Sequence, residues 1–189
     1  MINRFGNYSS NTREDHDYYA THPSAVYPLF DTERFTPTIL EPTCGEGHMA
    51  RAIEECGHRV IASDSIDRGY GSVTDFLESG ATPFDIVTNP PYWLQSEFVE
   101  HAMGVLRYGG KLALFLKIQF LESAKRRSLF ERYPPVRVHV FSKRARTAKN
   151  GDFSNIGSAL TCYAWFVWIK GYAGRPTIGW IDPKEEPCR

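Results

Sequence analysis

Asn89-Pro90-Pro91-Tyr92 is the most chemically specific stretch of this sequence. Two consecutive prolines stiffen the backbone and remove two N–H donors. The Asn89 side-chain oxygen and the nearby carbonyl oxygens then converge as acceptors beside an aromatic ring. That arrangement suits a planar amino group, whose hydrogens the acceptors take while the ring stacks on its π-system. A proline turn followed by a core tyrosine is the plainer reading. Upstream, Glu41-Pro42-Thr43-Cys44-Gly45-Glu46-Gly47 places two glycines just before a helical pattern, where backbone can pass close to a ligand. The dinucleotide fingerprint fails, because Ala50 stands where its third glycine belongs. Glu41 and Glu46 would repel a pyrophosphate and tolerate an ammonium group. Asp64 follows, a carboxylate able to accept from both hydroxyls of a ribose, or else a turn residue or helix cap. Asp75-Phe76 suits an amino group and a ring face, or equally an N-capping aspartate and a core phenylalanine.

These residues need elements to position them, and the hydrophobic pattern supplies them. Short apolar runs at Thr38 to Leu40, Arg59 to Asp64, Asp85 to Thr88 and "KLALFLK" read as strands, the last buried on both faces. Between them, His48 to Cys56 and the spacing Phe98, Ala102, Val105, Leu106 read as helices closed by Gly57 and Gly109-Gly110. A further helix is expected from Ser24, its N-cap, and another in "ESAKRRSLFERY". Alternation of strand and helix predicts an α/β fold on a parallel sheet with right-handed crossovers. Each chemical cluster then falls at the carboxyl end of a strand, where open α/β sheets bind ligands. The last third differs: "VRVHVF", a basic loop from Ser142 to Ser158, and "ALTCYAWFVWIKG" predict an antiparallel pair closing the sheet. Residues 1–16 are expected to form a flexible arm, 17–181 one domain, and 182–189 a tail.

The set Glu41-Pro-x-x-Gly45-x-Gly47, Asp64, Asp75-Phe76 and Asn89-Pro-Pro-Tyr92, in that order, resembles the S-adenosylmethionine-dependent amino-methyltransferases. It is most similar to adenine-specific DNA methyltransferases of the small, often phage- or prophage-borne kind. "YYATHPSAV" (Tyr18 to Val26) looks like the family's extra N-terminal motif. The resemblance implies a Rossmann-like, seven-stranded, mostly parallel sheet with one antiparallel strand and helices on both faces. It implies S-adenosyl-L-methionine as cofactor, with Gly45 and Gly47 beneath it, Asp64 on its ribose and Asp75 on its adenine amino group. Ile66 and Phe76 would line that pocket, and Tyr19 and Thr21 would sit near the methionine carboxylate. Asn89 and the carbonyl of Pro90 would hold the target amine, with Pro91 shaping the turn and Tyr92 stacking on the ring.

Composition bounds the rest. With 42% hydrophobic and 23% charged residues, the chain is expected to be a globular, cytoplasmic protein without a membrane partner. Cys44, Cys56, Cys162 and Cys188 show no metal-ligand spacing, so structural thiols and no metal are expected. The net charge is zero, yet ten basic residues against two acidic ones between Lys117 and Lys149 give that segment +8 and the remainder −8. Lys143, Arg144, Arg146 and Lys149 are therefore candidate phosphate contacts. Phe141 or Phe153 would form the second face of an aromatic clamp on a base extruded from its stack. Nucleic acid, DNA in preference to RNA, is the expected partner. Glutamine methylation in proteins and a non-catalytic binding module are the alternatives. No separate target-recognition domain is expected, so a short site read by the basic loop, a specificity partner or a structured RNA each remains open.

Overall fold

The period-two alternation in "KLALFLK" decides the architecture. In the computed structural model, which describes residues 18–149, 151, 153 and 161–187, Leu112, Leu114 and Leu116 enter one core layer. Ala113 and Phe115 enter the other. In chain order the elements are β1 (Tyr19–Thr21), α1 (Pro23–Thr32), β2 (Thr38–Glu41), α2 (His48–Glu55), β3 (Arg59–Asp64), β4 (Ser72–Val73) and β5 (Asp85–Thr88). There follow α3 (Gln95–Val105), β6 (Lys111–Lys117), α4 (Arg127–Arg132), β7 (Arg137–Phe141), β8 (Thr147–Lys149), β9 (Tyr163–Ile169) and β10 (Thr177–Ile181). Eight strands form one sheet in the order β10-β7-β9-β6-β5-β2-β3-β4. Only β9 runs antiparallel to its neighbours, β6 and β7. The fold is therefore the expected Rossmann-like α/β class, with eight strands in place of seven.

Two layers cover the sheet. One contains Val26, Leu29 and Phe30 of α1 and Met49 and Ile53 of α2, packed on Phe115, Trp165 and Val167. The other contains Phe98, Val99 and Met103 of α3 and Leu129 of α4, packed on Leu114, Phe166 and Trp168. Trp165 and Trp168 are fully buried, and each donates its indole N–H to a carbonyl, of Ala25 at 2.7 Å and Tyr133 at 2.9 Å. Each indole removes roughly 150–250 Å² from water, an upper-bound contribution of about 4–6 kcal/mol.

Three local expectations need correction. Helix α1 is capped by His22, whose ring nitrogen accepts from Ser24 N–H, because Pro23 already occupies the first turn. Part of the basic loop is a strand: β8 pairs antiparallel with β1 in a separate two-stranded sheet. Strand β10, after the last strand expected from the sequence, forms the edge parallel to β7. Within residues 182–187, Lys184 N–H donates to Ser24 O at 2.9 Å and the Lys184 ammonium lies 2.9 Å from Asp31.

At the amino ends of β6 and β7, buried Glu33 gathers Lys111 (2.9 Å), Arg137 (2.7 Å) and His139 (3.0 Å). Burial alone would raise its pKa, but these hydrogen bonds and charges outweigh it and hold the carboxyl well below the usual range. Arg137 is thereby committed to the end of the sheet opposite the glycine loop, so the +8 segment is not one continuous face.

Candidate active site

Strands β6, β5, β2 and β3 lie side by side, and their carboxyl ends carry the clusters singled out above. The β2–α2 loop turns through Gly45 (φ 53°) and Gly47 (φ 82°), conformations that favour glycine. A Cβ at either would overlap an aromatic ring, Tyr18 over Gly45 and Tyr70 over Gly47. Asp64 anchors this loop: one carboxylate oxygen accepts from Gly45 N–H at 2.9 Å, the other from Ile66 N–H at 3.0 Å. Tyr18 Oη accepts from Glu46 N–H at 3.1 Å. The Arg68 and Arg51 guanidinium groups lie 4.6 and 5.2 Å from the Tyr18 and Tyr70 ring centres.

Beneath the loop lies an unusual carboxylate. Glu41 is 1% exposed, and its Oε2 has no hydrogen-bond partner among the described residues. Burial first, then the Asp64 charge, pushes its pKa well above the carboxylate value of 4.5. Cys44 is buried beside it and donates to Tyr70 O at 3.3 Å. Burial and the Glu41 and Asp64 charges push that thiol up to about 12, which leaves it inert as a nucleophile.

Asn89 follows β5. Its side-chain NH₂ donates to Tyr19 O at 3.0 Å and Thr21 Oγ1 at 3.1 Å. With both donors consumed by β1, the amide oxygen is left as the acceptor. Thr43 Oγ1 donates to Asn89 O at 3.1 Å and also contacts Thr88 Oγ1, which ties the glycine loop to the proline turn. Pro90 is buried, and Pro91 and Tyr92 are half-buried. Tyr92 Oη is 2.8 Å from Tyr163 Oη, and the Lys117 ammonium lies 3.9 Å from the Tyr92 ring centre. The Tyr19 ring approaches to 5.6 Å.

The structure brings Glu41, Gly45, Gly47, Asp64, Asn89 and Tyr92 to one edge, while other expected residues sit elsewhere or act differently. Asp75 is exposed and accepts from Leu77 N–H at 2.9 Å, capping a 3-10 turn. Phe76 is 3% exposed and packs on Phe98 and His101 in the core. Tyr19 and Thr21 grip the Asn89 amide through β1. Phe141 is a core residue against Phe115, so it presents no face to a base. Phe153 packs edge-on against His22 and His48, where α2 begins. Arg144 donates to Cys162 Sγ and Arg146 to Glu185. Lys143 and Arg144 are exposed, and the Lys149 side chain lies outside the described set.

Tyr18, Tyr70, Lys117 and Tyr163 were not marked as site residues in the sequence. The signal for Lys117 was its place at the end of the strand beside Asn89. Tyr18 lay inside the N-terminal motif. Nothing local marked Tyr70 or Tyr163. Among the described residues no cluster of His, Cys, Asp and Glu is grouped to hold a metal, and no helix is long and apolar enough to cross a membrane.

No protein-family model matches the sequence, and no curated protein matches it significantly. Solved structures do match in fold. An S-adenosylmethionine-dependent O-methyltransferase from Thermotoga maritima aligns with TM-score 0.53 and 17% identity over 81% of this chain. This chain spans 66% of that protein. The 1,6-didemethyltoxoflavin-N1-methyltransferase of Burkholderia thailandensis, solved with bound 1,6-didemethyltoxoflavin and S-adenosylhomocysteine, aligns with TM-score 0.52 and 14% identity, covering 78% of this chain and 76% of that one. The type IIG restriction endonuclease BpuSI aligns with TM-score 0.55 and 13% identity over 80% of this chain, and 25% of the endonuclease is matched. The chain therefore has the Rossmann-like fold of the class I S-adenosylmethionine-dependent methyltransferases.

Proposed function

We propose that the protein transfers a methyl group from S-adenosyl-L-methionine to the exocyclic amino group of adenine in nucleic acid, DNA in preference to RNA. The observation that carries this reading is the fixed Asn89 amide. Its NH₂ is held by Tyr19 O and Thr21 Oγ1, so its oxygen is presented as an acceptor beside Tyr92. A site that only binds the cofactor has no use for an oriented acceptor and a stacking ring one turn apart.

Features at the glycine loop support the cofactor assignment. The unpartnered Glu41 oxygen suits the ammonium of the methionine moiety, and the Cβ-free surfaces of Gly45 and Gly47 admit the body of the molecule once the Tyr18 and Tyr70 rings swing aside. Asp64 holds the loop and retains lone pairs for ribose hydroxyls. Ile66, half-buried beside Asp64, would flank the cofactor's adenine ring, whereas Asp75 and Phe76 are taken up by a turn cap and by the core. Bound S-adenosylmethionine supplies an electrophilic methyl group.

The protein's task lies on the amine side. An exocyclic amine is a weak nucleophile because its lone pair is delocalised into the ring. Asn89 Oδ1 and the Pro90 carbonyl accept its two hydrogens, localise the lone pair and stabilise the positive charge that develops on nitrogen. Preorganised acceptors of this kind contribute about 3–4 kcal/mol, and alignment on the Tyr92 face contributes further. The cofactor would supply the methyl group, its sulfonium keeping the electron pair and leaving as a neutral thioether, while Asn89 Oδ1 and the Pro90 carbonyl would hold the amine until its extra proton passed to water. Exposed Lys143 and Arg144 beyond the carboxyl end of β7 supply phosphate contacts. Fold similarity to a restriction endonuclease is consistent with a nucleic-acid substrate.

Incubation with tritiated S-adenosylmethionine and, separately, duplex DNA, single-stranded DNA, total RNA and protein extract tests the reading. N6-methyladenine in digested DNA is the expected product. Label confined to RNA, or to glutamine in protein, replaces the substrate assignment.

A further inference from the structure

The turn that carries Tyr92 also carries an exposed indole. Tyr92–Leu94 forms a single 3-10 turn, closed by Leu94 N–H donating to Pro91 O at 3.0 Å. Successive side chains in such a turn point about 120° apart, so Tyr92 and Trp93 face different ways. Tyr92 turns inward, toward Tyr163, Tyr19 and Lys117. Trp93 leaves 60% of its surface in water, while Trp165 and Trp168 are buried with their N–H groups satisfied. The 3-10 turn after the neighbouring strand β6 presents a second exposed apolar residue, Leu121, at 43%. Two lysines flank that second turn in sequence: Lys117 ends β6 and exposed Lys125 follows it.

We propose that Trp93 is a stacking site for the nucleotide next to the target in single-stranded or locally opened nucleic acid, an inference that rests on the nucleic-acid reading above. A base drawn onto Tyr92 leaves the ring face of its neighbour open to water. An aromatic side chain one residue along, aimed away from Tyr92 and held by two prolines, caps that face and keeps the two bases apart. Stacking tolerates any sequence, because every base has a π-face. Lys117, whose ammonium lies 3.9 Å from the Tyr92 ring centre, brings positive charge to the phosphates of such a strand.

The test uses fluorescence anisotropy of labelled single-stranded oligonucleotides containing one adenine, intact or with an abasic site on either flank. Base–aromatic stacking worth about 1–3 kcal/mol corresponds to roughly 5- to 150-fold in affinity. Trp93→Ala weakens binding of the intact strand by that factor, Trp93→Phe recovers most of it, and in turnover the loss falls on KM. An abasic site on one flank costs the wild type the same factor and costs Trp93→Ala nothing more. Equal affinities for wild type and Trp93→Ala, or losses that simply add, overturn the inference and leave the methyltransfer reading standing. Trp93-dependent, abasic-sensitive binding without methyl transfer to any nucleic acid upholds the stacking site and removes the substrate assignment. No binding to any oligonucleotide overturns both.

Discussion

Glu41→Gln separates two consequences of one buried carboxylate. The side chain is 1% exposed with Oε2 unpartnered, and burial together with the Asp64 charge raises its pKa well above 4.5. A carboxyl whose folded-state pKa is raised supports the fold while protonated. That support is complete below its unfolded value and is lost as pH climbs through the folded one. Between its unfolded and folded pKa values the carboxyl costs the fold about 1.4 kcal/mol per pH unit, and in a domain of this size each kcal/mol moves Tm by about 2–4 °C. The cofactor-free Gln variant, which cannot ionise, therefore gains roughly 3–5 °C on wild type for each pH unit within that window, a gap that closes toward pH 4. Cofactor affinity moves the opposite way. Losing a charge-assisted hydrogen bond to the ammonium, worth about 1.5–3 kcal/mol, raises Kd roughly 10- to 150-fold. Thermal melts across pH 4 to 8 and calorimetric titration with S-adenosylmethionine measure both. A Tm gap that does not change with pH would show that the carboxylate is satisfied in the fold. Unchanged affinity would remove Glu41 from the cofactor site.

Other perturbations read other parts of the molecule. Asn89→Ala lowers kcat by about 10²–10³, the effect of deleting one oriented transition-state partner, while calorimetry finds cofactor affinity largely retained; lost affinity with normal turnover refutes the role. Tyr163→Phe removes the bond to Tyr92 Oη, about 1 kcal/mol, and raises KM for nucleic acid about fivefold in steady-state assays. Glu33→Gln costs about 3 kcal/mol in a urea melt at pH 7, the low end for a broken buried pair, because Arg137 and Lys111 keep 33% and 17% side-chain exposure. Since the Glu33 pKa is depressed, its stabilisation is complete above about 4.5 and fades as pH falls below it, so the variant and wild type converge in acid. Lys143→Gln with Arg144→Gln flattens the slope of log affinity against log salt by about 0.7–0.9 per cation removed; an unaltered slope returns these residues to ordinary surface charge.

The parallel core strands and the proline turn were legible because each announces itself locally. The apolar pair Ile86-Val87 runs straight into Asn89-Pro90, and β6 alternates between two buried layers. The Gly45 and Gly47 turn was legible because only glycine suits its backbone. Pairings between distant short segments were not. Nothing in Tyr19–Thr21 or Thr147–Lys149 points to the other, yet their pairing puts Tyr19 O and Thr21 Oγ1 on Asn89. Strand β10 was hidden because Ile178 and Trp180 are both exposed, which erases the burial contrast that marks a strand. Asp75 and Phe76 show the converse case. The same two residues suit a ligand pocket or a capped turn over a core ring, and in this structure they form the latter.

The placement of β9 has a consequence for how the chain acquires its shape. It slots between β6 and β7, both of which precede it in the sequence. Until it arrives, β6 and β7 each present an unpaired apolar edge, the kind of surface on which partly folded chains associate. The Trp165 to Ala25 bond, which joins β9 to α1 across 140 residues, cannot form earlier. Contacts of such sequence separation slow folding. During synthesis, the N-terminal elements therefore wait for the last third of the chain before the molecule closes.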